Sequence, residues 1–192
     1  METIHQALAK ILRPGDLAID ATAGNGHDVA FLAQLVGESG QVSAFDVQSA
    51  ALAATEKRLE ALGALARCSL HHLPHERMAE VLPPEIRGRV KAIVFNLGYL
   101  PGGNKSIVTT TENTLVALET SLDCLAPGGL LAVTAYRGHP GGMQEALAVE
   151  DRLASLPTTD FEVSMEKCSS EPTSPIAFLV RKRQKSEALS PS

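Results

Sequence analysis

The sequence predicts a single doubly wound, Rossmann-like α/β domain whose seven-stranded, mostly parallel sheet ends in a C-terminal antiparallel hairpin. Three observations predict it. Short apolar runs bounded by turn residues alternate with longer stretches rich in Ala, Leu, Glu and Lys, the pattern of repeated strand and helix units. A Gly24-Asn25-Gly26 turn directly follows the first apolar run. The last two runs are joined only by Lys167–Pro175, which holds Pro172 and Pro175 and has no room for the crossover that a parallel pair needs.

The expected strands, in chain order, are Leu17–Asp20, Val42–Asp46, Arg67–His71, Val90–Asn96, Leu130–Ala135, Phe161–Glu166 and Ile176–Arg181. Between them, Asp28–Val36, Gln48–Leu62, Pro74–Leu82, Ser106–Leu125 and Met143–Leu156 carry strong helix formers. Ahead of the first strand, Ile4, Leu8, Ile11 and Leu12 form a helical stripe that stops at Arg13-Pro14-Gly15. This helix is expected to cover a sheet edge or the mouth of the cofactor site.

With 192 residues and 44% hydrophobic content the chain can bury one core unaided. Residues 1–183 are expected to form the domain, and 184–192 a disordered tail. Cys68, Cys124 and Cys168 are too dispersed for a zinc ribbon or a disulfide framework, which fits a reducing cytoplasm. The charged N-terminus lacks the apolar core of a signal peptide, and no stretch is long enough to span a membrane. The net charge of −5 disfavours broad electrostatic binding of nucleic acid and leaves room only for a local patch. Arg181, Lys182, Arg183 and Lys185 are expected to be a solvated chain end.

The segment Leu17–Asp28 sets a strand, Asp20, a glycine turn and a helix start in succession, and Asp20, Gly24, Asn25, Gly26 and Asp28 are expected along a cofactor. Glycine permits a sharp turn and close approach of a ligand, and the helix N-terminus offers free N–H groups to an anion. Val29 stands where the third glycine of a dinucleotide fingerprint belongs, so a pyrophosphate is poorly served. Asp46 lies at the end of the second strand, about 20 residues on, where a carboxylate takes both ribose hydroxyls, with Gln48 beside it. Gly24, Gly26 and Asp46 together point to S-adenosylmethionine rather than NAD. Asp46 as a plain cap for the next helix is the competing view. His71, His72, His75 and Glu76 cluster after the third strand, but Pro74 interrupts them and no ligand set is complete, so no metal is expected. His75 is left to contact the adenine or to cap a helix.

Asn96-Leu97-Gly98-Tyr99-Leu100-Pro101 ends the fourth strand at the carboxyl edge, where open α/β sheets bind ligands. Its position is similar to the Asn-Pro-Pro-Tyr motif of amino-methyltransferases, whose Asn side chain and a backbone carbonyl accept the protons of an amine. Tyr99 and Tyr136, the only tyrosines, both fall in loops at that edge and could stack on a flipped-out base, although core packing would serve Tyr136 equally.

Three segments carry a wider resemblance: Asp20–Asp28, Phe95–Lys105 with Ser106–Thr109, and Tyr136–Gly142 followed by Glu145. In this order and spacing the chain resembles the small bacterial class I methyltransferases of the MnmM type, long labelled rRNA methylases. The resemblance implies methylation of the exocyclic amine of 5-aminomethyl-2-thiouridine at the wobble position of tRNA, bound through its anticodon stem-loop, by a cytoplasmic homodimer. It implies Asn25, Asp28, Asp46, Gln48, His75 and Glu76 along the cofactor, and Asn96, Tyr99, Lys105, His139 and Glu145 toward the substrate. His139 could equally serve only its own turn. Asn104 and Arg137 depart from the family pattern, which touches substrate detail more than reaction class. Two alternatives stay open: a methyltransferase of ribosomal RNA or of a small-molecule amine, and a non-catalytic module that binds S-adenosylmethionine.

Overall fold

The computed structural model describes residues 3–100, 102–103, 106–167, 169, 171 and 173–184. Seven strands form one sheet: β1 (Leu17–Asp20), β2 (Gln41–Asp46), β3 (Cys68–His72), β4 (Val90–Leu97), β5 (Leu125–Ala135), β6 (Phe161–Lys167) and β7 (Ile176–Lys182). Their order is β3-β2-β1-β4-β5-β7-β6, and β7 alone runs opposite to the other six strands. The short Lys167–Pro175 link forces that reversal, and β7 inserts between β5 and the edge strand β6.

Among the described residues five α-helices, α1 (Ile4–Ile11), α2 (His27–Val36), α3 (Ser49–Ala61), α4 (Thr111–Cys124) and α5 (Gly142–Ala154), cover the two faces. One core gathers Phe45, Phe95, Phe178 and Leu118 under α4 and α5. The other gathers Leu8, Leu32, Val42 and Leu59 under α1, α2 and α3. α1 is fixed at its start by a capping box, in which Thr3 and Gln6 exchange side-chain and backbone bonds. Its stripe buries Leu8 and Leu12, and it packs against β5.

Three elements depart from expectation. The segment 106–110 is extended rather than helical, since Ile107, Val108, Thr109 and Thr110 are β-branched and prefer strand geometry. Val108 makes a bridge with Tyr99, and the Thr109 N–H donates to the Gly98 carbonyl. After Pro74 the chain makes a 3₁₀ helix, His75–Glu80, instead of an α-helix. Strand β5 begins at Leu125, well before Leu130.

The C-terminal basic cluster is partly committed to the fold. Lys182 Nζ donates to the carbonyls of Leu122 and Leu125, and Arg183 Nε to that of Thr158. Lys185 and residues 185–192 of the expected tail lie outside the described residues. No helix among the described residues is long and apolar enough to cross a membrane.

Candidate active site

Strand order reverses between β1 and β4, so the loops after these strands leave toward opposite faces and open a crevice at their carboxyl ends. A cavity of about 520 Å³ lies there, a size suited to one cofactor-sized ligand. Gly24, Asn25, Asp28, Asp46, Gln48, His75 and Glu76 line one part of it, and Asn96, Tyr99, Tyr136 and His139 another.

On the first side, Gly24 and Gly26 adopt positive φ angles of 52° and 76°, and Gly26 caps α2 in the left-handed conformation. Gly26 itself is buried against α3: a Cβ there would lie 2.8 Å from the Thr55 Cα. Thus Gly26, expected to meet the cofactor, instead seats the loop on α3. The Asp46 carboxylate accepts from the Gly24 N–H at 2.9 Å and from the Gln48 N–H at 2.8 Å. It serves both the glycine loop and the entry to α3, and it also lines the cavity.

Asp20 is also displaced from its expected place. It is fully buried below the loop and outside the cavity lining; Oδ1 accepts from the Thr22 N–H, while Oδ2 has no hydrogen-bond partner among the described residues. Burial first, then the nearby Asp28 and Asp46, pushes its pKa up to about 8, so the carboxyl is protonated at neutral pH. His75 is buried against the Phe95 ring edge, and desolvation lowers its pKa, which keeps the imidazole neutral beside the cavity. Its side chain engages the Ala21 backbone. His72 pairs with the Val47 carbonyl and His71 stacks on Phe45, so these histidines diverge. Among the described residues no His, Cys, Asp and Glu group could hold a metal.

On the second side, Asn96 Nδ2 donates to Asp28 Oδ2 at 2.8 Å, and the Asn96 backbone N–H donates to the Thr22 hydroxyl. The neighbouring Leu97 carbonyl already accepts from the Tyr136 N–H, so an amine would have to use its remaining lone pair. Tyr136 is 45% exposed at the cavity, which removes core packing as its role. Tyr99 stands edge-on to His139. His139 Nδ1 donates to the Pro140 carbonyl, while Nε2 is buried, lies against Gly98 and Gly142, and has no partner among the described residues.

Glu145 does not face the cavity. It is 2% exposed, and its two oxygens accept from the hydroxyls of Thr109 at 2.7 Å and Thr114 at 2.6 Å. It therefore anchors the extended 106–110 segment and the start of α4. Lys105 and Asn104 lie outside the described residues. Arg137 ties its loop to the link before β7 through the Ser174 carbonyl.

Sequence reasoning missed Thr22, Thr109, Thr110 and Asn113 in the lining. It also missed His5, which reaches Asp28 from α1. Thr22 and Thr109 fall inside the matched segments without being singled out there, whereas His5, Thr110 and Asn113 carry no local motif and their places depend on chain segments meeting in space.

A family model described as "Putative rRNA methylase" matches residues 42–182. The chain belongs to this family. It is 37% identical over 191 residues, 95% of its length, to "tRNA (mnm(5)s(2)U34)-methyltransferase, chloroplastic" of Arabidopsis thaliana, and spans 69% of that protein. It resembles the "crystal structure of putative rRNA-methylase from Clostridium thermocellum" with a TM-score of 0.87 and 37% identity, covering 93% of this chain and 94% of that one. A methyltransferase from Streptococcus mutans, solved in complex with SAH, matches with a TM-score of 0.81 and 33% identity over 93% and 94% of the two chains. With these relatives and this fold, the protein is an S-adenosylmethionine-dependent methyltransferase.

Proposed function

We propose that the enzyme methylates the aminomethyl nitrogen of 5-aminomethyl-2-thiouridine at the wobble position of tRNA. One observation carries the reading: the glycine loop with Asp46 and the Asn96, Tyr99, Tyr136 and His139 group open into the same cavity. The Arabidopsis relative, named for this type of wobble uridine, supports the acceptor class.

The residues present fit the donor. The Asp46 carboxylate suits ribose hydroxyls, Gln48 lies beside it, and His75 and Glu76 border the space left for adenine. The α2 N-terminus suits the methionine carboxylate. When bound, S-adenosylmethionine supplies a methyl group already activated on a sulfonium. The protein's share is then proximity and a neutral amine. The acceptor amine would take the methyl group in exchange for one proton, released to solvent.

Asn96 accepts an N–H of the amine through Oδ1, because Nδ2 is committed to Asp28. His139 lines the same part of the cavity. Tyr99 and Tyr136 offer ring faces to the splayed base, the usual way single-stranded loops are read. The anticodon loop, not a broad basic surface, is the element engaged, in keeping with the net charge of −5. The reading extends to a cytoplasmic homodimer, for which exposed Val116 and Leu147 on the adjacent helices α4 and α5 are a suitable surface.

The test is methylation of tRNA carrying 5-aminomethyl-2-thiouridine by wild-type protein and Asn96→Ala, with calorimetry of the donor in parallel. Turnover of the variant is expected to fall about 10²-fold, the scale for misplacing a reacting group by about 1 Å. Wild-type turnover in Asn96→Ala refutes the acceptor site. Methylation of rRNA or a small amine, with this tRNA untouched, refutes the substrate.

A further inference from the structure

We infer that His5 of α1, which does not line the cavity, is a positioning residue for the acceptor site: it fixes Asp28, and Asp28 fixes the Asn96 amide. The inference rests on the acceptor role proposed above for Asn96.

Asp28 sits in the first turn of α2 with both oxygens engaged. Oδ1 accepts from His5 Nε2 at 2.6 Å and Oδ2 from Asn96 Nδ2 at 2.8 Å. A carboxylate hydrogen-bonded at one oxygen can still rotate about its terminal torsion, which is broad and nearly two-fold. A second donor on the other oxygen removes that freedom. The same logic passes to Asn96. Its amide offers one donor arm and one acceptor arm, and a carboxylate can pair only with the donor arm. Holding Asp28 therefore turns the Asn96 carbonyl oxygen away from Asp28 and keeps it there.

His5 is itself held from two directions. Its ring stacks on Phe31 of α2 with centroids 4.0 Å apart and planes 10° from parallel. Its helix is anchored by buried Ala7, Leu8 and Leu12 and by the Thr3–Gln6 box. The imidazole is half-exposed, at 49%, so its bond to Asp28 competes with water. Through this chain of contacts the N-terminal helix takes part in orienting the reacting nitrogen.

Two substitutions separate the bond from the stack. His5→Phe keeps an aromatic ring against Phe31 and loses the donor; His5→Gln keeps a donor at a similar reach and loses the ring. Steady-state methylation of undermodified tRNA, donor calorimetry and the Asn96→Ala background complete the set. His5→Phe is expected to lower kcat about tenfold, a fraction of the loss for a full 1 Å misplacement, with a smaller change in donor affinity. His5→Gln is expected to recover most of that loss. In the Asn96→Ala background, His5→Phe is expected to add almost nothing, since both act on one group.

Wild-type kcat in His5→Phe, failure of Gln to rescue, or losses that multiply in the double variant would each overturn the inference. If Asn96→Ala itself turns over normally, the acceptor reading falls first. If Asn96→Ala is slow while His5→Phe is normal, only the role of His5 falls.

Discussion

Replacing Glu145 by alanine distinguishes a strut from a substrate ligand. The side chain is almost wholly buried and accepts two short hydroxyl bonds, from Thr109 at 2.7 Å and Thr114 at 2.6 Å. Hydrogen bonds to a charged group contribute about 1.5–3 kcal/mol each, so two at the low end amount to about 3 kcal/mol. For a protein of this size, that loss corresponds to a fall of about 6–12 °C in Tm. Glu145→Gln keeps one carbonyl acceptor and should lose about half as much. Urea and thermal denaturation of both variants give the stabilities, and turnover is read well below the melting transition. A Glu145→Ala protein as stable as wild type but slower by ~10³-fold, the scale of lost acid–base catalysis, would refute the strut and return the carboxylate to the substrate.

Asp20 makes stability depend on pH in a stated direction. Its folded pKa, about 8, lies above the ordinary 3.8, so the folded state holds more protons in that window and stability declines as pH rises from about 4 to about 8. Asp20→Asn should flatten this decline for the ligand-free protein in denaturation series across that range; an unchanged slope would mean that Asp20 ionises normally. Gly26→Ala should cost more than the ~1–2 kcal/mol of a left-handed non-glycine residue, because its Cβ overlaps Thr55. Gly63→Ala, with φ of 62° and open space around it, should cost only the backbone term, and equal losses at the two sites would rule out the Thr55 contact as the cause.

Much of the cofactor half of the site is legible in the sequence, because its signals are local. Gly24 and Gly26 are needed where the chain turns through positive φ, and Asp46 follows at a spacing set by one strand–helix–strand unit. The acceptor half is only partly legible. Asn96 and Tyr99 share one strand end, but Glu145 was expected at the substrate only because it follows the Tyr136–Gly142 motif in the chain. A helix presents successive residues about 100° apart, so proximity along the chain does not decide which side faces a cavity.

The sequence by itself determined the alternation of strands and helices, the glycine turn, the antiparallel finish and the residues grouped at the carboxyl edge. Hydrophobic period, glycine conformation and link length act over a few neighbouring residues, and a single chain displays them. Only the tertiary structure decided that β7 lies between β5 and β6, that Asp20 lies under the loop, that Glu145 turns inward to two threonines, and that His5 meets Asp28. Those outcomes depend on which buried surfaces and polar groups find partners far apart in the chain. His5 and Asn96 are 91 residues apart and share one carboxylate.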